Sequence, residues 1–227
     1  MNITILGLGI IGTANKLHFE SRGHTVNTYD PPLGLTRLEK ADLYVICTPS
    51  HVIEEVIRDI RLLDPEPVIS IESTIIEFGL VERLARKTPY LCYCPQRYWA
   101  DDPHKRGVVR YRLIASPAHQ RYFILLYRDL GIETLPTLPI VAEYTKIAEN
   151  AYRGLQIAFV QELKNETGVY FESIRHGIIT ASEMHYLPEA RKGIGGECLP
   201  LAMDTLKHMP LIRQAIESNK RYMETEQ

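Results

Sequence analysis

The chain has 227 residues, 26 basic against 28 acidic, and its 45% hydrophobic content over that length is enough for a buried core, which excludes a disordered polymer. The near-even charge gives no general reason to bind nucleic acid or an anionic membrane. Cys47, Cys92, Cys94 and Cys198 make no C-x-x-C pair, no basic leader precedes Asn2, and no apolar run nears the ~20 residues of a membrane span. A cytoplasmic protein with no disulfide framework, no metal, no nucleic acid and no membrane partner is therefore expected.

In chain order, residues 2–6 (NITIL) read as a strand, 10–22 as a helix closed by Gly23, and 25–29 as a second strand. Residues 42–47 (DLYVIC) read as a third strand and 51–63 as a helix. Further strands are expected at 67–71, 90–94 and 112–115, with helices at 80–87 and about 118–130. β-Branched runs alternating with helices predict an α/β fold, a Rossmann-like doubly wound parallel sheet. The character changes at Pro136 and Pro139: residues 141–167 hold no proline, and Ile147, Ala151, Leu155, Ala158 and Phe159 recur at three-and-four spacing. That predicts one helix of roughly 40 Å, longer than a domain of this size is wide. Such a helix needs a partner surface. Shorter helices are expected at 171–178, 201–208 and 211–222, so the chain reads as a dinucleotide-binding domain over 1–138 and a long central helix with a small helical region over 139–227.

Gly7-Leu8-Gly9-Ile10-Ile11-Gly12 fits G-x-G-x-x-G between a predicted strand and a predicted helix. There the glycines allow a tight turn, and a pyrophosphate can rest against the helix N-terminus on Gly7, Gly9, Ile10, Ile11 and Gly12. Asp30 closes the second strand eighteen residues beyond Gly12, where a carboxylate accepts hydrogen bonds from a ribose diol and repels a 2′-phosphate. NAD is the expected cofactor. Thr48-Pro49 and Ser73-Thr74 follow the third and fourth strands, at the edge where such sheets bind ligands. Taken singly, each is equally an ordinary turn or helix-capping segment.

Lys146 and Asn150 lie four apart on one face of the long helix beside Ile147 and Ala151, an arrangement of donors suited to a developing oxyanion. A solvated surface lysine is the plainer alternative. In Gly193-Ile194-Gly195-Gly196-Glu197-Cys198, three glycines mark a place where backbone bends or a ligand comes close, and Cys198 falls at a loop-to-helix junction. A nucleophilic thiol and a small buried cysteine are both open readings there. Cys47, Cys92 and Cys94 fall within predicted strands and read as core.

The order GLGIIG, Asp30, TPS, EST, CPQRYW, AEYTKIAENAYRGLQIAFVQEL and GIGGECLP resembles the UDP-glucose/GDP-mannose dehydrogenase family over residues 2 to about 208. The resemblance implies NAD-dependent oxidation of a primary alcohol in two hydride transfers, through a thiohemiacetal and a thioester on cysteine. It implies Cys198 as nucleophile, Lys146 and Asn150 as oxyanion stabilisers, and Thr74 as a positioner of water or cofactor. Thr48, Pro49 and Ser73 would touch NAD. Gln96, Gly193, Gly195 and Gly196 would face substrate. It also implies a homodimer through the 141–167 helix. Three positions depart from the family pattern: Gln96 and Ala100 stand where it has acidic residues, and Ala202 where it has an aspartate. Asp204 lies two residues further on. The chain ends where the family continues into a nucleotide-binding domain, so a smaller substrate or a separate chain supplying that domain is expected. Two other functions fit the same motifs: a non-catalytic NAD-binding or assembly protein, and a two-electron 3-hydroxyacid-type dehydrogenase in which Cys198 is dispensable.

Overall fold

The computed structural model describes residues 1–97, 111–181 and 187–225. The chain divides into two compact units, Met1–Tyr144 and Thr145–Gln227. Ala100, Asp101 and Asp102 lie outside the described residues.

In the first unit, β1 (Asn2–Leu6), β2 (Thr25–Tyr29), β3 (Leu43–Ile46), β4 (Ile69–Ile71) and β5 (Leu91–Tyr93) form one sheet in the order β2-β1-β3-β4-β5, every pair parallel. The order reverses direction between β1 and β3. Their carboxyl ends therefore frame the crevice in which sheets of this kind hold ligands. Side chains alternate between the faces, as a period of two requires. Ile3, Ile5, Leu43, Val45 and Cys92 enter one buried cluster; Leu6, Tyr44, Ile46, Ile69, Ile71 and Tyr93 enter the other. Both faces of β3, β4 and β5 are covered, so these strands are almost wholly apolar, with Ser70 the one small polar exception, whereas the edge strand β2 (TVNTY) is only partly buried and carries polar residues.

Helix α1 (Ile10–Ser21) and α4 (Gln120–Asp129) supply Phe19, Phe123 and Tyr127 to the first cluster, while α2 (Ile53–Leu63) and α3 (Leu80–Ala85) close the second. In α2 the buried Ile53, Val56, Ile57 and Ile60 follow the 3.6-residue period, so one stripe packs and the rest faces water. Residues 112–115 do not extend the main sheet. Instead β6 (Arg112–Ile114) pairs in parallel with β7 (Thr134–Pro136), a strand the sequence pattern did not predict, and β6 meets β5 only through the antiparallel bridge of Tyr93 with Ala115. β7 is short, proline-ended and exposed along most of its length, so it lacks the β-branched run that marks a strand.

The central helix α5 runs Pro139–Thr167, 29 residues, with Pro139 at its start where a missing N–H is harmless. It is one continuous element that begins in the first unit and continues into the second. In the second unit its buried side is Ile147, Asn150, Ala151, Ile157, Ala158 and Val160. Phe159, which the three-and-four spacing assigned to that side, is 53% exposed. Twelve residues beyond Ile147 it has rotated roughly a third of a turn away. Val160 joins Phe171, Leu187, Ala190 and Tyr222 in a small core with α6 (Phe171–Ile179) and α8 (Pro210–Thr225). Polar pairs accompany it: Lys164 Nζ donates to the Tyr222 hydroxyl at 3.0 Å, and Ser218 Oγ to Glu162 at 2.5 Å. Helix α7 (Cys198–Thr205) starts three residues earlier than expected and opens on the cysteine. Among the described residues no helix is long and apolar enough to cross a membrane, and no group of three or more His, Cys, Asp or Glu is placed to hold a metal.

Candidate functional site

The glycine turn owes its shape to two close approaches. Gly7, with φ of 92°, lies against the end of β3, where a Cβ would stand 2.9 Å from the Cys47 carbonyl carbon and oxygen. At Gly12 a Cβ would fall 1.9 Å from the Gly7 carbonyl oxygen. Neither position accepts a side chain, because what crowds it is backbone that the sheet holds in place. At Gly9 the same test meets nothing within 4 Å, so the middle of the turn is open. Ile10 and Ile11 start α1, and Ile10 is exposed beside the open side. The Gly7 N–H donates to the Tyr29 carbonyl at 2.9 Å, and the Leu8 N–H donates to Asp30 Oδ2 at 2.7 Å. The end of β2 thus presents its carboxylate at the turn itself.

Two hydroxyls at the neighbouring strand ends are buried without a hydrogen-bond partner: Thr48 Oγ1 after β3 and Ser73 Oγ after β4. A buried hydroxyl left unpaired costs about 1–3 kcal/mol. Its usual explanation is a missing water or ligand. The open turn, the carboxylate at the β2 end and these hydroxyls fit a dinucleotide laid across the carboxyl edge of the sheet. Pro49 is exposed next to Thr48, and Thr74 is half-buried next to Ser73.

Sequence reasoning passed over Glu143. Fully buried on the first turns of α5, its carboxylate accepts the Gly79 N–H at 2.6 Å and the Val81 N–H at 2.9 Å. Burial pushes its pKa up, while those two backbone donors work against the rise. One residue on, the Tyr144 ring stacks on Phe78 with centroids 3.8 Å apart. The segment that follows Thr74 is thereby tied to the start of the central helix. A glutamate three residues before Lys146 gave no such signal, because its acceptors' partners lie more than sixty residues away in sequence.

In the second unit Lys146 and Asn150 are 7% and 2% exposed, so the solvated-lysine alternative does not describe this helix face. Asn150 Nδ2 is buried with no hydrogen-bond partner. Cys198 is an exposed free thiol at the first position of α7. Gly193, Gly195 and Gly196 lie in the segment before it, which is pinned by the Ile194 N–H donating to Asn219 Oδ1 at 2.8 Å. Ala202 is fully buried in α7, and Asp204 pairs with Lys207 at 2.9 Å with a side chain 67% exposed.

Gln96, expected to face substrate, is 1% exposed and donates from Nε2 to Asn15 Oδ1 at 2.9 Å. Cys92 and Cys94 are buried core residues; burial pushes the Cys94 thiol up to about 12 and the Cys92 thiol well above its ordinary value.

Residues 140–221 match the central domain of the UDP-glucose/GDP-mannose dehydrogenase family. The chain is 28% identical over 219 residues to the UDP-N-acetyl-D-mannosamine dehydrogenase of Methanocaldococcus jannaschii, covering 81% of this chain and 49% of that protein. It is 26% identical over 218 residues to that of Methanococcus vannielii, covering 82% and 50%. The chain thus spans about half the length of the curated relatives it matches. Among solved structures, the UDP-D-ManNAc dehydrogenase of Pyrococcus horikoshii superposes with a TM-score of 0.82 at 24% identity, covering 98% of this chain and 69% of that one. The 3-hydroxyisobutyrate dehydrogenase of Mycobacterium tuberculosis shares the fold, with a TM-score of 0.71 at 14% identity over 97% of this chain and 93% of that one. The central-domain match thus covers residues 140–221, and the similarity to UDP-N-acetyl-D-mannosamine dehydrogenases runs through both compact units.

Proposed function

We propose that the chain is the dinucleotide-binding and central part of an NAD-dependent oxidoreductase that oxidises the primary alcohol of a sugar nucleotide. The observation that carries this reading is the Asp30 carboxylate, which accepts the Leu8 N–H at 2.7 Å inside a turn open at Gly9. That pairing puts a negative charge where the adenosine ribose of NAD would lie and disfavours a 2′-phosphate. Gly7, Gly9, Ile10, Ile11 and Gly12 would hold the pyrophosphate, and Thr48, Pro49 and Ser73 the rest. NAD, when bound, supplies the hydride acceptor.

The chain's own residues divide the remaining work. Cys198 attacks the aldehyde carbon produced by the first oxidation, forming a C–S bond, and the carbonyl oxygen gains negative charge. Lys146 and Asn150, as buried donors, stabilise that charge. Loss of a second hydride gives a thioester, and water then cleaves the C–S bond to release the carboxylate and return the thiol. Thr74 would position that water or the cofactor. Gly193, Gly195 and Gly196 let substrate approach the backbone beside Cys198. Val141, Tyr144, Tyr152 and Phe159 expose apolar surface along α5, which supports a homodimer through this helix. A nucleotide-binding part carried elsewhere, on this polypeptide or on a separate chain, would complete recognition of the sugar nucleotide.

The test is NADH formation from UDP-N-acetyl-D-mannosamine, with and without Cys198→Ser. Two NADH per sugar in the wild type and none, or one, in the variant support the reading; unchanged turnover in the variant sinks the cysteine role and favours a two-electron 3-hydroxyacid-type reaction. A second reading, an NAD-binding or assembly protein without turnover, is favoured by Gln96, whose amide is engaged by Asn15, and by the buried apolar Ala202. Tight NAD binding with no NADH from any sugar nucleotide would establish it.

A further inference from the structure

Beneath the carboxyl edge of the sheet lies a polar cluster whose side chains carry none of the proposed chemistry. Glu72 and Arg112 are an ion pair at 2.7 Å with both side chains fully buried. Asn15 Nδ2 also donates to Glu72 Oε2, at 2.6 Å, and the Tyr127 hydroxyl donates to Oε1 at 2.5 Å. Asn15 Oδ1 in turn accepts from Gln96 Nε2 at 2.9 Å and from Arg112 at 3.3 Å. Further down, the Ser70 hydroxyl bonds Tyr127 at 2.5 Å. Burial is the largest influence on Arg112 and works against its charge, but the Glu72 carboxylate together with Cys94, Tyr127 and Cys47 holds the guanidinium above its ordinary pKa.

Net stability gives no account of this cluster, because replacing a buried ion pair with apolar groups of the same volume is often neutral or stabilising. Its placement does. Asn15 stands three residues after Gly12, on the helix that opens at the glycine turn. Glu72 directly precedes Ser73, whose hydroxyl is buried and unpartnered, and the Gln96 N–H donates to the Glu72 carbonyl at 3.0 Å. Glu72, at the end of β4, therefore meets α1 through its carboxylate and the segment after β5 through its backbone carbonyl. In strand order, β4 is three steps from β2, about 14 Å at ~4.8 Å per step. A dinucleotide with its adenosine ribose on Asp30 must reach across that distance to the Ser73 side.

We propose that Glu72 is a positioning residue for the half of the dinucleotide distant from Asp30: held by Arg112, Tyr127 and Asn15, it sets Ser73 against the glycine turn. This rests on the NAD reading above. Gln96 belongs to the same assembly, as a support for Asn15 rather than as a group that meets substrate.

The experiment compares NAD with AMP, which reaches only the Asp30 half, by calorimetric titration of the wild type, Glu72→Gln and Tyr127→Phe. Glu72→Gln puts an amide donor among three donors. It should weaken NAD at least tenfold and AMP less than twofold. Tyr127→Phe removes one donor and keeps the ion pair, so it covers the case in which Glu72→Gln does not fold; NAD should weaken about threefold, again with AMP nearly unchanged. A purely structural role lowers both affinities by the same factor, and that result, or no change in either, overturns the proposal. If the wild type binds neither nucleotide, the NAD reading falls and this inference with it. NAD binding by the wild type with no split in the variants removes this inference alone.

Discussion

Around the glycine turn of Met1–Tyr144 the geometry is tightly held: Glu72 is buried and receives three donors, and Gly7 and Gly12 are pressed against backbone, while the Thr48 and Ser73 hydroxyls at the strand ends are buried without partners. In Thr145–Gln227 the corresponding groups are divided. Lys146 and Asn150 are buried on a long helix, while Cys198 is exposed at the head of an eight-residue helix behind a glycine-rich segment. On the function proposed above, the first arrangement suits a cofactor site and the second a nucleophile. A cofactor site needs fixed geometry, because its ligand binds through many weak contacts that must all be met together. A nucleophile needs access. The first unit therefore resists substitution through packing, whereas the second should lose function at Cys198 with little loss of stability.

Substitutions can break that contrast. Cys198→Ser should lower NADH formation by roughly 10³-fold or more, and, as an exposed substitution, shift stability by no more than about 0.5 kcal/mol; a large drop in melting temperature would mean that the thiol is structural. Gly12→Ala should act the opposite way, with a destabilisation of about 3 kcal/mol from overpacking against backbone and loss of NAD binding in the same preparation. Chemical denaturation beside NAD titration separates the two, and a stable variant that still binds NAD would contradict the turn geometry. Asp30→Ala should weaken NAD about tenfold, as expected for hydrogen bonds to a charged group. The preference for NAD over NADP should shrink with it; unchanged discrimination would place the ribose elsewhere.

The smallest effect concerns pH. His18 hydrogen-bonds the Leu130 carbonyl at 3.0 Å, and burial lowers its pKa despite that bond. The unfolded chain therefore takes up a proton before the folded one does, so the His18 contribution is present above pH 6.5 and is lost as pH falls through its folded pKa. His18→Gln should flatten the fall in melting temperature between about pH 7 and pH 5. An identical slope in both proteins would show that His18 is not the group responsible.

Local patterns were enough to read much of the fold. Short β-branched and apolar runs broken by turns marked β1 to β5, because strands covered on both faces are predominantly apolar and those at the edge keep β-branched residues. The turn at Gly7–Gly12 and the Asp30 carboxylate that meets it were legible for a similar reason: backbone curvature and strand length fix their spacing along the chain. The long helix showed in its period and its missing prolines, although Phe159 fell outside the buried side. β7 stayed hidden, since three residues ending in proline carry no pattern and pair only because β6 lies beside them.

The sequence by itself determined the parallel α/β plan, the glycine turn with its acidic partner, and a helix carrying Lys146 and Asn150 one turn apart. Only the tertiary structure decided that Lys146 is buried, that Cys198 is exposed, that Glu143 holds the segment after Thr74, and that Gln96 turns inward to Asn15. Asn15 meets Glu72 across 57 positions and Arg112 across 97. Hydrogen bonds between groups so far apart in sequence leave no periodicity to read; they exist because the folded sheet brings α1, β4, β5 and β6 together.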